Sequence, residues 1–404
     1  MIWEQELAAL KENGLYRQLQ SVETLNGNGQ ALVNGQKMLM FASNNYLGLA
    51  QDQRVIEASI QATERFGTGS TGSRLTTGHS IIHEKFEIKL AQFKQTEAAI
   101  MLNTGYMANM AALTTIVGKG DLILSDEGNH ASIIDGCRLS RAETVIYSHA
   151  DLDDLEMKLQ SNRGFNRTLI VTDGVFSMDG DIAPLPGIVD LAERYGAMIM
   201  VDDAHATGVL GKDGRGTSEH FGLKGKVDIE MGTLSKAIGA EGGFLAGSRS
   251  LIDFILNKAR PFIFSTALSP GIVAGALAAV DIIMTEPERR EHLQCMSRRL
   301  YEELTYLGYT VTGGETPILG IICGKPQQAT LLSKELHKYG IYAPAIRPPT
   351  VPIGTSRIRL TLMAQHQETH IDHVIYAFKA IIFNDGDNRD ITVPSERNDN
   401  SYRR

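Results

Sequence analysis

Cysteine is scarce in this 404-residue chain: Cys137, Cys295 and Cys323 are the only three, and they lie far apart. No CxxC or CxxH spacing occurs, so neither a zinc site nor a disulfide framework is supported, and no metal centre is expected. That usage fits a reducing cytoplasm. Positive charge is short as well. A net charge of −8 leaves no basic field to hold nucleic acid. No apolar run reaches the roughly 18 residues of a membrane span, so no membrane partner is expected. The opening MIWEQELAALKENG is amphipathic and carries acids, without the basic start and apolar stretch of a signal peptide. Repeats at solenoid periods are missing too. The closing NDGDNRDITVPSERNDNSYRR has little to bury and is expected to be loosely ordered.

What remains is ordinary globular material, 43% apolar and 21% charged, long enough for one large unit with smaller ones beside it. Short apolar runs alternate with helical patterns. AAIMLN (98–103), DLILSD (121–126), TVIYS (144–148), RTLIVTDG (167–174), AMIMVDD (197–203), VDIEMGT (227–233) and GGFLAG (242–247) read as strands. PLPGIVDLAERYG (184–196), with Pro near its start and Gly at its end, reads as one of the helices between them. Strands separated by helices predict an α/β fold with a mostly parallel, doubly covered sheet, whose crevice lies at the strands' carboxyl ends. After FSTALSP a long helical segment (271–307) leads to short strands near TPILGIICG and RIRLTL, a smaller α+β unit. The expected division is an N-terminal segment 1–50, a large domain 51–285, a small C-terminal domain 286–383 and a tail 384–404. The N-terminal segment is expected to pack with the small domain or to reach a partner.

Six segments carry chemistry. In GTLSKAIGAEGGF, Lys236 follows a strand and precedes glycines that let backbone pass close to a flat ligand. Partial desolvation there would free its amine for Schiff-base formation, although a lysine in a loop is far more often a surface residue. In MIMVDDAHATG, Asp202 ends a strand and His205 follows three residues on. That acid suits a protonated pyridine nitrogen; a buried acid satisfied by a helix N-terminus fits DDAH equally well. LNTGYMANMAAL runs a strand through Thr104, Gly105 and Tyr106 into a helix, a phosphate-binding arrangement that is also a common turn. GTGSTGSR (67–74) lacks the GK[ST] ending of a nucleotide loop. His130, past a strand end in SDEGNHASIIDG, could stack on a ring or act as a structural hydrogen-bonder. Ser177 precedes an Asp-Gly turn in TDGVFSMDGDIAPL. Arg357 and Arg359 alternate on one strand face in RIRLTL, suited to a carboxylate or to a solvated edge strand.

Together SNNYLGLA, GTGSTGSRLTTG, NHASIIDGCRLS, TDGVFSMDGDIAPL, VDDAHATGVLG, GTLSKAIG and RPFIFSTALSP resemble, in order and spacing, the α-oxoamine synthases of the fold-type I pyridoxal-phosphate (PLP) enzymes. The likeness spans about residues 1 to 380. It implies PLP as cofactor, held on Lys236 as a Schiff base, with Asp202 at the pyridine nitrogen. It implies His205 and Ser177 at the ring oxygen and His130 stacked on the ring. Gly105, Tyr106 and Thr233 would contact the cofactor around its phosphate, with Ser265 and Thr266 reaching it from the other subunit of a homodimer. Asn44 and Arg359 would orient the amino-acid substrate, and Arg17 and Thr350 the acyl substrate. Ser235 departs from the glycine many members carry before the lysine. Within the family, GIYAPAIRPPTVP (340–352) is similar to members that condense L-alanine with a pimeloyl thioester, on CoA or a carrier protein. The nearest rival joins glycine to acetyl-CoA. A non-catalytic partner subunit would lack the Schiff-base lysine, and a PLP-binding regulator would need a DNA-binding domain and a basic face.

Overall fold

The computed structural model describes residues 2–12, 16, 19–25 and 27–384. Fifteen strands run in chain order: β1 (Val22–Leu25), β2 (Gln30–Val33), β3 (Gln36–Met40), β4 (Ala98–Leu102), β5 (Leu122–Asp126), β6 (Glu143–Tyr147), β7 (Thr168–Asp173), β8 (Met198–Asp202), β9 (Ile229–Thr233), β10 (Gly243–Gly247), β11 (Val311–Gly313), β12 (Ile318–Gly324), β13 (Ile341–Tyr342), β14 (Ala345–Ile346) and β15 (Ser356–Thr361). The seven runs read as strands from the sequence are β4 to β10, and they form one seven-stranded sheet ordered β4-β10-β9-β8-β7-β5-β6. Its pairs are parallel except where β10 runs antiparallel to β4 and β9.

Alternation along these strands divides the core. Ile123, Leu169, Val171 and Met200 face one side, against the helices Gly105–Ile116 and Ala131–Ser140. Leu122, Leu124, Ile170 and Val201 face the other, against Leu152–Ser161 and Leu185–Tyr195. A strand covered on both faces needs apolar residues at every position, which is why these stretches read as continuous runs rather than alternating ones.

Two four-stranded sheets complete the fold, ordered β1-β2-β3-β13 and β11-β12-β15-β14. The parallel β3–β13 pair joins the N-terminal segment to the C-terminal part, Ile341 opposite Leu39. The long helical segment expected over 271–307 is two helices, Pro270–Thr285 and Glu288–Tyr306, bent by 75°. Pro287 lacks the N–H needed to continue the first helix and restricts the residue before it. The edge-strand alternative for Arg357 and Arg359 is also corrected: β15 lies between β12 and β14, and both arginines are buried. No single described helix is long and apolar enough to cross a membrane. The expected loose tail, apart from Asn384, lies outside the described residues.

Candidate active site

Parallel strands all end on the same edge of the sheet, so loops and helix starts gather there. A cavity of about 130 Å³ opens at that edge, lined by Gly105, Tyr106, His130, Ser177, Asp202, His205, Thr233 and Lys236 among others. Eight residues chosen from five separate segments thus meet in one space. A larger cavity, about 630 Å³, sits at the opposite, amino-terminal ends of β8 and β9, and none of these residues lines it.

Lys236 Nζ is 2.9 Å from His205 Nε2. Burial pushes the lysine down to about 8 against the pull of Asp202 and Asp173, with Arg359 pushing the same way as burial. An amine with that value is a free base in about a tenth of molecules at neutral pH, against a few in ten thousand for an ordinary lysine. His205 is held well below the ordinary imidazole range by burial and by the positive charges of Lys236 and Arg359. It is therefore neutral.

Asp202 ends β8 and is buried; its carboxylate accepts from Asn109 Nδ2 at 2.7 Å and from the Ala204 N–H at 2.9 Å. The next residue points to the other face. Asp203 accepts from Lys94 at 3.2 Å and from the Thr217 hydroxyl at 2.6 Å, which fixes the turn from beneath. Asp173 ends the neighbouring strand β7, in register with Asp202. Burial, with the Asp202 carboxylate adding to it, raises this carboxyl well above the usual range, and its Oδ2 accepts the His130 N–H at 3.1 Å.

His130 is the N-cap of Ala131–Ser140: its Nδ1 accepts from the Ser132 N–H at 3.2 Å, and the ring stays exposed over the cavity. The structural alternative weighed for this histidine thus holds for one ring nitrogen and leaves the ring face free. Thr104 caps Gly105–Ile116 by accepting from Met107 N at 3.0 Å, so its hydroxyl is engaged while the first amides of that helix open on the cavity. At Gly105 any Cβ would sit 3.0 Å from Met231 Cε and 3.4 Å from Thr233, filling the space these amides face.

Arg359 donates to Ser177 O at 2.6 Å, to Thr361 Oγ1 at 2.8 Å and, from both terminal nitrogens, to Asn44 Oδ1 at 3.1 Å. Arg357, on the same face of β15, pairs with Asp179 and reaches Met178 O. Both arginines therefore hold the loop that carries Ser177. Ser265 and Thr266 do not line this chain's cavity: Thr266 is exposed and bridges Ser73, and the Ala267 N–H donates to Gly72 O at 2.9 Å. The segment GTGSTGSR therefore packs on the FSTALSP loop and cradles nothing in this cavity. Thr350 is exposed in a turn away from the cavity, and Arg17 lies outside the described residues.

A model of the aminotransferase class I and II family matches residues 36–378. The chain belongs to that family. Among its curated relatives is the 8-amino-7-oxononanoate synthase of Lysinibacillus sphaericus, 52% identical over 376 residues, covering 93% of this chain and 96% of the relative. A serine palmitoyltransferase from S. paucimobilis, solved with bound PLP–myriocin aldimine, superposes with a TM-score of 0.89 at 34% identity, covering 94% of this chain and 96% of its own. A crystal structure of 8-amino-7-oxononanoate synthase from Francisella tularensis superposes with a TM-score of 0.75 at 27% identity, covering 86% and 98%. The fold is accordingly the fold-type I PLP transferase fold expected from the sequence.

Sequence reasoning missed two residues that line this cavity and one behind it. Asn109 lies four residues beyond Gly105 and so on the same helix face, a signal that was available. Asp173 becomes visible only once the β7–β8 register is known. Tyr46 stands in SNNYLGLA, where nothing local marks its role; its hydroxyl lies 2.6 Å from His205 Nδ1.

Proposed function

We propose that this chain condenses L-alanine with a pimeloyl thioester, releasing 8-amino-7-oxononanoate, CO2 and the free thiol carrier, as a step of biotin biosynthesis. One observation carries the substrates: relatives of that name are about 50% identical along nearly the whole of both chains. The cavity supports the chemistry independently. It offers a buried amine of lowered basicity for an aldehyde, a carboxylate for a ring nitrogen, and a helix N-terminus for a phosphate. Asn109 Oδ1, in the same wall, is buried without a partner among the described residues. This donor set fits PLP.

When bound, PLP supplies the electron sink that stabilises negative charge on the substrate's Cα. Lys236 holds the cofactor through Nζ and afterwards carries the Cα proton on the same atom. Asp202 would face the ring nitrogen, His205 and Ser177 the ring oxygen, and His130 would cover the ring face. Gly105, Tyr106 and Thr233 would hold the phosphate. Arg359 and Asn44 would orient the alanine carboxylate, which would take over N–H groups that both terminal nitrogens now share on Asn44 Oδ1 while Ser177 O and Thr361 Oγ1 keep the guanidinium in place. Arg17 and Thr350 are our candidates for the acyl substrate. The chain works as a homodimer in the cytoplasm, with Ser265 and Thr266 reaching the partner's phosphate site. Supporting the dimer, Phe264 beside them is 69% exposed and Leu75, in the loop packed on them, is 53% exposed.

The test is product formation with alanine and glycine crossed against pimeloyl-CoA and acetyl-CoA. Preference for alanine with the pimeloyl donor is expected. One methyl group is worth only about 1–3 kcal/mol in an apolar pocket, so glycine retains some activity. A clear preference for glycine with acetyl-CoA would overturn the substrate assignment.

A further inference from the structure

Beyond β3, which ends at Met40, the N-terminal segment turns and places Tyr46 behind His205, fully buried. Its hydroxyl sits 2.6 Å from His205 Nδ1, and the other ring nitrogen of His205 sits 2.9 Å from Lys236 Nζ. The phenol oxygen also meets Arg359, and an arginine can only donate. The single phenolic proton is then free to go to His205 Nδ1, since its one other acceptor, Asn44 Oδ1, is 3.4 Å away and already takes two Arg359 donors. Burial supports this by pushing the phenol up to about 12, against the opposing charge of Arg359, so that it keeps its proton.

We propose that Tyr46 is a positioning residue that fixes the tautomer of His205, leaving Nδ1 as acceptor and directing Nε2–H into the cofactor cavity. With the cofactor on Lys236, whose free ammonium would otherwise donate to Nε2, donors run one way, from Arg359 through Tyr46 and His205 into the cavity. The groups facing His205 are Tyr46, Lys236, Arg359 and His130, and those facing Lys236 include Asp202, Asp173 and Arg359. None of them other than Tyr46 is placed against Nδ1 by a hydrogen bond. A histidine whose tautomer is set by the partner of its far nitrogen can present a fixed donor to a ring oxygen. Without Tyr46 the ring is free to turn its unprotonated nitrogen inward, where it would repel an oxygen instead of binding it.

This inference rests on the PLP reading and not on the substrates, so its test uses neither alanine nor an acyl donor. The visible absorption band of PLP-loaded protein is titrated with pH in wild type and Tyr46→Phe. Losing the donor makes the cofactor oxygen depend on the proton of the cofactor–lysine nitrogen, which is then held more tightly. The midpoint should rise by about one pH unit, the equivalent of a hydrogen bond to a charged group. An unmoved midpoint in a folded, PLP-loaded variant overturns the proposal. A second measurement needs no variant at Tyr46. In PLP-loaded wild-type full-length protein labelled with ¹⁵N-histidine, the His205 signals, identified by their loss in His205→Gln, should show Nδ1 unprotonated and Nε2 protonated. The opposite tautomer, or a doubly protonated ring at neutral pH, overturns it. If wild type gives no visible band with PLP, the cofactor reading fails and this proposal with it; a band with an unmoved midpoint overturns the role of Tyr46 alone.

Discussion

Lys236 is a functional group that the cofactor-free fold tolerates poorly. Its basicity falls from lysine's ordinary 10.5 to about 8, with burial as the largest cause. At about 1.36 kcal/mol per pH unit this fall corresponds to about 3 kcal/mol of folding free energy, an upper value because the side chain opens onto the cavity. The sign follows from proton binding. A lowered value in the folded state means that the unfolded chain binds the proton more tightly, so stability rises with pH between about 8 and 10.5. Below pH 8 the protonated amine weakens the fold by the full amount; above 10.5 the effect is gone. Lys236→Met keeps the volume and removes the charge at every pH. It also removes the 2.9 Å partner of His205 Nε2, a donor when protonated and an acceptor when neutral, at a cost of about 1–3 kcal/mol. The two effects separate by their pH dependence. Urea denaturation of cofactor-free wild type and Lys236→Met at pH 7, 9 and 10.5 should show the variant's relative stability falling by about 2–3 kcal/mol as pH rises. Parallel stability–pH curves would refute the reasoning and place Lys236 in a well-solvated position.

Asp202→Asn should fold with a lowered Tm, since each carboxylate oxygen accepts from an N–H and the amide keeps one acceptor, and should lose turnover by at least about 10²-fold if the carboxylate faces the ring nitrogen as proposed; a steady-state rate within threefold of wild type would show that Asp202 faces something else. Asp173→Asn should keep kcat within about threefold at pH 7, since burial and the neighbouring Asp202 favour the protonated form of that carboxyl; a loss comparable to that of Asp202→Asn would show that Asp173 works as an anion. Arg359→Lys keeps the charge but not the fork that reaches Ser177 O, Thr361 Oγ1 and Asn44 Oδ1. Loss of one or two charge-assisted hydrogen bonds should raise the alanine KM by about 10- to 100-fold, with a smaller change in the pimeloyl-CoA KM; equal changes in both would remove Arg359 from the amino-acid site.

The main sheet was legible because strands buried on both faces are continuous apolar runs, and each of the seven runs marks a strand to within about two residues. Lys236, Asp202 and His205 were legible for a related reason: each lies at the end of such a run or within three residues of it, and the ends of parallel strands share one edge. The break at Pro287 was missed because apolar helical patterning continues on both sides of it, although the proline itself was a stop signal. Asp173 and Tyr46 are of another kind. Nothing local to VTDG says that Asp173 stands beside Asp202; only the β7–β8 register does. Tyr46 reaches His205 across 159 residues of chain. Contacts of that separation depend on how whole layers pack, which spacing along one segment does not contain.

That register also allocates the charge of the site. Parallel pairing sets Asp173 and Asp202 on adjacent strands, roughly 4.8 Å apart at the backbone and facing the same way. Two carboxylates so placed and buried cannot both be comfortable as anions, and Asp173, fully enclosed, is the one driven toward its neutral form. Asp202 has Asn109 Nδ2 and the Ala204 N–H as donors, whereas Asp173 has the His130 N–H. On the cationic side the same separation occurs. Burial, opposed by Asp202 and helped by Lys236, lowers His130, and burial with Lys236 and Arg359 lowers His205 further. Both imidazoles thus act as neutral dipoles and spare Lys236 additional positive neighbours, which would depress it beyond use. A slip of β7 by one residue would turn Asp173 to the opposite face and undo this arrangement. Apolar residues on both sides of β7 oppose that slip, since it would exchange Leu169 and Val171 with Ile170 between two differently shaped cores. The packing of the strands therefore maintains the protonation pattern on which the amine chemistry of Lys236 depends.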